Sequence, residues 1–134
     1  MCKIGETRKI EIWKKARIIE GYDPDRYRQD ACGAWIDFNE YQNRNSNYGW
    51  EIDHIFPKSK LLEANVLLDD IDNLDNLRPL NWKNNLSKGN DYPSYRAVCI
   101  ADGDKNKEVE KELIVNQEIQ KKIKNLFNDY TIIW

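Results

Sequence analysis

The sequence predicts an α+β fold, and three observations predict it. Residues 33–38 and 49–55 are short stretches of strand character, the second alternating apolar and polar side chains. Residues 81–89 carry a helix-start signal at one end and a helix-stop signal at the other. Near the C-terminus, Ile119, Ile123, Leu126, Phe127 and Tyr130 fall on one helical face, as a core contact does. At 134 residues the chain fits a single domain, 1–134, with its own core.

Each element has a local reason. Residues 3–20 mix apolar and polar side chains in neither period, so helix and extended structure are equally expected there. Asp23-Pro24 reads as an N-cap followed by proline at the first helical position, which predicts a short helix through Gln29. The polar run Gln42-Asn43-Arg44-Asn45-Ser46-Asn47 reads as a loop between the first two strands, which are expected to pair as an antiparallel hairpin. Pro57 ends the second strand. Asn81 is the expected N-cap and Gly89 the expected C-terminal stop of the short helix. Residues 95–101 alternate again, the cluster Asp102-Gly103-Asp104-Lys105-Asn106 is a turn, and 109–115 is the returning strand. Asn116 then caps the last helix.

Composition excludes some classes. The chain is 40% hydrophobic and 33% charged, which is ordinary for a water-soluble protein. It has no apolar run long enough for a membrane span, and no apolar leader at its start, so cytoplasmic residence without membrane contact is expected. Three cysteines, Cys2, Cys32 and Cys99, without a C-x-x-C pair predict free thiols rather than a disulfide framework or a structural zinc. The formal net charge is −2, but the charges are segregated. Residues 1–20 and 78–96 lean basic, while 63–75 hold Glu63, Asp69, Asp70, Asp72 and Asp75 with no base. Such runs are ordinarily solvated faces, yet a local basic surface can dock phosphates whatever the total charge. Trp35, Trp50 and Trp82 are expected in the core around the strands and helix.

His54 is the single histidine. It follows Asp53 at the end of a strand. An imidazole titrates near ~6.5 and is the natural proton acceptor at neutral pH, while a carboxylate suits a hard cation. Asparagines follow in excess: Asn73, Asn76, Asn81, Asn84, Asn85 and Asn90. Within the short helix, Asn84 reads as exposed. Asn85 shares a face with Trp82, expected toward the strands, where its amide needs a protein or metal partner.

Three blocks in order, Trp50-Glu51-Ile52-Asp53-His54-Ile55-Phe56-Pro57, then Asp75-Asn76-Leu77-Arg78-Pro79-Leu80, then Asn84-Asn85-Leu86-Ser87-Lys88-Gly89, resemble the HNH endonuclease motif in a His-Asn-Asn form. The similarity reaches upstream to Arg28 and covers 28–91. The resemblance implies a ββα-metal core at 28–91, an antiparallel hairpin plus short helix, with 92–134 as an added hairpin and helix. It implies hydrolysis of DNA phosphodiesters, with His54 as general base and Asn76 orienting it. It implies Asp53 and Asn85 as ligands of a divalent metal; an oxygen-only set favours Mg²⁺ or Mn²⁺. Arg78, Lys88, Lys58 and Lys83 are the expected phosphate contacts, and the partner is double-stranded DNA, with a specificity partner or a second copy of the chain to supply recognition. The Gly-Gly usual after the first block is replaced by Lys60-Leu61-Leu62-Glu63-Ala64-Asn65, which leaves the course of 58–74 open. Neighbouring strand residues point to opposite faces, so Asp53 and His54 serve one site only if the strand ends or twists there. The alternatives are a nucleic-acid-binding module of the same fold without the chemistry, and a purely structural domain.

Overall fold

The computed structural model describes residues 5–134; Cys2 and the start of the 3–20 segment lie outside the described residues. The chain is α+β. Among the described residues six strands form three separate antiparallel pairs. Helix α1 is Glu6–Trp13, followed by strands β1, Tyr27–Gln29, β2, Trp35–Asp37, and β3, Trp50–His54. Two short helices, α2, Lys58–Glu63, and α3, Leu68–Ile71, precede β4, Leu77–Asn81, and α4, Trp82–Lys88. The long hairpin β5, Ser94–Asp102, and β6, Lys105–Ile114, leads to α5, Gln117–Leu126.

The ambiguous N-terminal stretch is both things in turn. It is helical through Trp13, which buries Ile12 and Trp13, and then extended at Arg17, which bridges Gln29. Trp13 packs against Phe38 and Trp50 with ring centroids 5.4 and 5.3 Å apart.

The helix expected after Asp23-Pro24 does not form. Asp23 accepts from the Asp25 amide, making a turn, and the chain enters β1. Tertiary pairing overrides the local cap signal: Tyr27, Arg28 and Gln29 pair with Asp37, Ile36 and Trp35. The Arg28 guanidinium, buried, donates to the carbonyls of Pro24, Lys14 and Ala16. A helix there would redirect that side chain.

The hairpin between the first two predicted strands is also replaced. Trp50–His54 pairs instead with Leu77–Asn81, from Trp50 opposite Asn81 to His54 opposite Leu77. Pro79 disguised this strand in the sequence. It is tolerated because β4 borders only β3, and an edge strand can forgo a ladder donor. The 55–76 connection, left open by the sequence, folds over buried Leu61, Val66 and Ile71. Asn76 fastens it. Its Oδ1 accepts from the Phe56 amide at 2.8 Å, and its Nδ2 donates to the carbonyls of Phe56 and Ile71, both at 3.2 Å. Gly49 allows the approach to β3: a Cβ there would lie 1.9 Å from the Asn43 carbonyl oxygen.

Helix α4 begins and ends where its caps require. Asn81 accepts from the Lys83 amide, and Gly89 takes φ +51°. Asn84 is fully buried rather than exposed. Its Oδ1 accepts from the amides of Val98 and Cys99 at 2.9 and 3.0 Å, and its Nδ2 donates to the Cys99 carbonyl at 2.9 Å and to Asp30 Oδ2 at 3.2 Å. All four bonding positions of the amide are filled. The β5–β6 pairing slips between Ala97 and Cys99, which turns those amides out of the ladder toward Asn84. Asp30 completes the joint by accepting from the amides of Cys32, Ala34 and Asn81.

The turn after β5 forms as expected, and β6 starts at Lys105, earlier than the sequence pattern indicated. Asn116 caps α5 through the Ile119 amide, and Ile123 and Phe127 enter the main core with Phe56, Tyr95 and Val115. Each such side chain contributes about 1.5–3 kcal/mol by leaving water. Cys32 and Cys99 are free, buried thiols, and burial pushes them up to about 12 and about 11. Trp35 and Trp50 are buried, and Trp82 is half-buried with its indole N–H on the Ser46 carbonyl. Among the described residues no helix is long and apolar enough to cross a membrane.

Candidate active site

Strand β3 carries the first motif block, and its two faces lead to different neighbours. The ladder stays regular through Asp53 opposite Arg78 and His54 opposite Leu77. The bend that would let Asp53 and His54 share one site does not occur. Their side chains accordingly meet different partners.

His54 meets Asp72, which the 55–76 connection delivers: Nε2 lies 2.7 Å from Asp72 Oδ1. A carboxylate only accepts, so Nε2 carries the proton in this pair and the lone pair falls on Nδ1. The imidazole is part-buried, with 23% of its side chain exposed. Two cations stand close by. Arg8 Nη2 donates to the Asp72 backbone carbonyl, and Lys15 Nζ donates to the Leu74 carbonyl and, at 2.7 Å, to the carbonyl of Leu77, the strand partner of His54. Asn76 acts on this arrangement through the backbone. It fixes Phe56, two residues past His54, and Ile71, next to Asp72.

Asp53 lies in the opposite environment, 3% exposed and facing α4. Arg78 Nε is 2.9 Å from its Oδ2 and Lys88 Nζ 3.2 Å from its Oδ1. Lys88 also donates to the His54 backbone carbonyl. Burial lowers the Lys88 pKa, and Arg78 adds to this while Asp53 opposes it. Burial also works against the Arg78 charge, yet Asp53 and Tyr95 outweigh it and its pKa moves up.

Asn85 is one helical turn before Lys88 and reaches Glu51, to which its Nδ2 donates at 3.0 Å. Arg44 holds the same carboxylate through Nε at 2.7 Å and Nη2 at 3.0 Å. Burial would raise the Glu51 pKa, but the bonds from Arg44 and Asn85 prevail and lower it.

Of the expected residues, the structure therefore brings His54 and Asn76 into one neighbourhood and sends Asp53 and Asn85 to separate partners. A divalent cation does not fit the Asp53 carboxylate as arranged here. Both of its oxygens already face a cation, and a third positive charge in that dry space would meet strong repulsion. Arg78 and Lys88 are buried on Asp53 rather than presented to phosphates on the surface. Lys58, at the start of α2, and Lys83, which bonds Asn47 Oδ1 at 3.2 Å, are only half-buried. Among the described residues no three His, Cys, Asp or Glu side chains converge as a metal cluster would require.

Sequence reasoning passed over Asp72, Arg8 and Lys15. Asp72 sat inside an acidic run read as a solvated face. The available signal was that the run lies within the connection that must return to the end of β3. Comparison with protein-family models, with curated proteins and with solved structures gave no match.

Proposed function

We propose that the chain is a phosphodiester hydrolase acting on nucleic acid, an endonuclease of the HNH kind, with His54 as general base. The observation that carries this reading is the His54–Asp72 pair at 2.7 Å, at the end of a strand that pairs across a long excursion with β4 and is followed directly by α4. The β3–β4 pair followed by α4 is compatible with the antiparallel pair plus short helix that the resemblance implies, built on a different second strand, and Asn76 fastens the connection between the two strands.

In this mechanism Asp72 holds the Nε2 proton and orients the ring, and Nδ1 takes a proton from water. The hydroxide attacks phosphorus in line, and the P–O bond to the leaving oxygen breaks. Arg8 and Lys15 supply positive charge beside the imidazole for the phosphoryl oxygens. No step is routed through Asp53.

A second reading, a nucleic-acid-binding module of this fold without hydrolysis, is favoured by one observation: Lys88 and Arg78 neutralise Asp53, the residue that would otherwise recruit a metal. One assay separates the two. Purified protein is incubated with supercoiled plasmid in Mg²⁺, in Mn²⁺ and in EDTA, and a gel shift is run in EDTA. Hydrolysis predicts conversion to nicked or linear plasmid. A shift with intact plasmid under every condition selects the binding module, and neither cleavage nor a shift rejects both.

A further inference from the structure

We infer that the cavity beside β4 is a binding site for a phosphate group, carried by a nucleotide or by a nucleic-acid strand. The cavity is about 420 Å³ and is lined by Lys15, Arg17, Arg78 and Lys122. These come from three separate places in the chain: the stretch after α1, β4, and α5. Two carboxylates also line it, Asp30 and Asp75. Asp30 is fully committed elsewhere, accepting from three backbone amides and from Asn84. With Arg78 paired to Asp53, the three cations Lys15, Arg17 and Lys122 thus face one carboxylate, Asp75.

Two further features point to a ligand with several acceptor oxygens. Arg78 gives its Nε to Asp53, and its Nη2 is buried without a hydrogen-bond partner. A buried donor in that condition is rare, and an anion is a suitable partner for it. Lys15 is pressed by like charge: burial lowers its pKa, and Lys122 and Arg8 lower it further against the opposing pull of Asp75. An anion placed among these groups relieves the repulsion.

The remainder of the wall is apolar, with Leu77, Pro79 and Ile119. The space falls within the range of small-molecule sites and exceeds what a bare ion fills. A phosphate carrying a sugar or base matches both the charged and the apolar lining. The site needs no hydrolysis; it shares Arg78 with the phosphate contacts that the sequence motif implies and Lys15 with the proposed active site, and adds Arg17 and Lys122.

The test is calorimetric titration at low salt with inorganic phosphate, a nucleoside monophosphate and a short oligonucleotide. Wild type is expected to bind at least one of them saturably. The double substitution Arg17→Glu with Lys122→Glu alters two exposed side chains and is expected to weaken binding about tenfold or more. Arg17→Lys with Lys122→Arg is expected to retain it. Lys15→Met, which keeps the aliphatic stem, is expected to weaken it in the same direction. Tightest binding by the monophosphate identifies a free nucleotide as the source, and by the oligonucleotide a strand. Absence of saturable binding by all three, or binding unchanged by the charge reversal, overturns the inference. His54→Ala is expected to bind as wild type does, so failure of the cleavage assay leaves this result standing.

Discussion

Asp53→Ala is expected to destabilise the protein by about 3–5 kcal/mol, the cost of breaking a buried ion pair from one side. The substitution leaves Arg78 and Lys88, 6% and 1% exposed, without the carboxylate they share. Their desolvation has already been incurred in folding, and Asp91, which acts on Lys88 less than Asp53 does, offsets only part of it. Against a typical total of about 5–15 kcal/mol the loss is large, and a urea midpoint shift at unchanged slope reports it. Lys88→Met is expected to cost distinctly less, since Asp53 keeps Arg78 and the methionine fills the lysine's path. A loss below about 1 kcal/mol for Asp53→Ala, the range of an exposed pair, would show that the cluster is wetter than its burial indicates.

His54→Ala is expected to reduce cleavage by about 10²–10⁴-fold, the usual contribution of a positioned general base. The two cations beside it, Arg8 and Lys15, donate to backbone carbonyls. The effect is expected in kcat, because in the proposed mechanism the ring takes a proton and binding of the nucleic acid rests on the cations. Asp72→Asn is expected to give a smaller loss in the same parameter by freeing the tautomer. Cleavage by His54→Ala at the wild-type rate removes the imidazole from the chemistry, and an effect confined to KM reassigns it to binding.

The two expectations sit on opposite faces of one strand, a division that the alternation of a regular strand already indicated. Local signals read well. Asn81 and Gly89 bound α4, Asn116 caps α5, and the 102–106 cluster turns β5 back on β6, because each depends on residues within a few positions of one another. What depended on distant partners did not read. Strand β1 looked like a helix start, since Asp23-Pro24 satisfies the local rule and the pairing with β2 that overrides it is invisible from residues 23–29 alone. Strand β4 was hidden by Pro79, whose acceptability rests on being at a sheet edge. Asn84 was set aside as exposed, and Asn85 was preferred because it shares a helix face with Trp82. The slip in β5 that gives Asn84 its partners is 14 residues away in sequence from that side chain. The course of the 55–76 connection, and with it the meeting of Asp72 and His54, could not be read for the same reason.

The Asn84 joint has a consequence for how the molecule opens. One amide ties α4 to β5, and Asp30 carries the same bonds on to the β1–β2 turn and the end of β4, so these four elements are held by a single shared knot rather than by pairwise seams. Such a unit unfolds together. The Val98 and Cys99 amides, although they lie at a break in the ladder, are therefore expected among the slowest to exchange with deuterium. Asn84→Ala should release them along with Asn81 and Ala34, and an effect restricted to Val98 and Cys99 would show that the elements open independently.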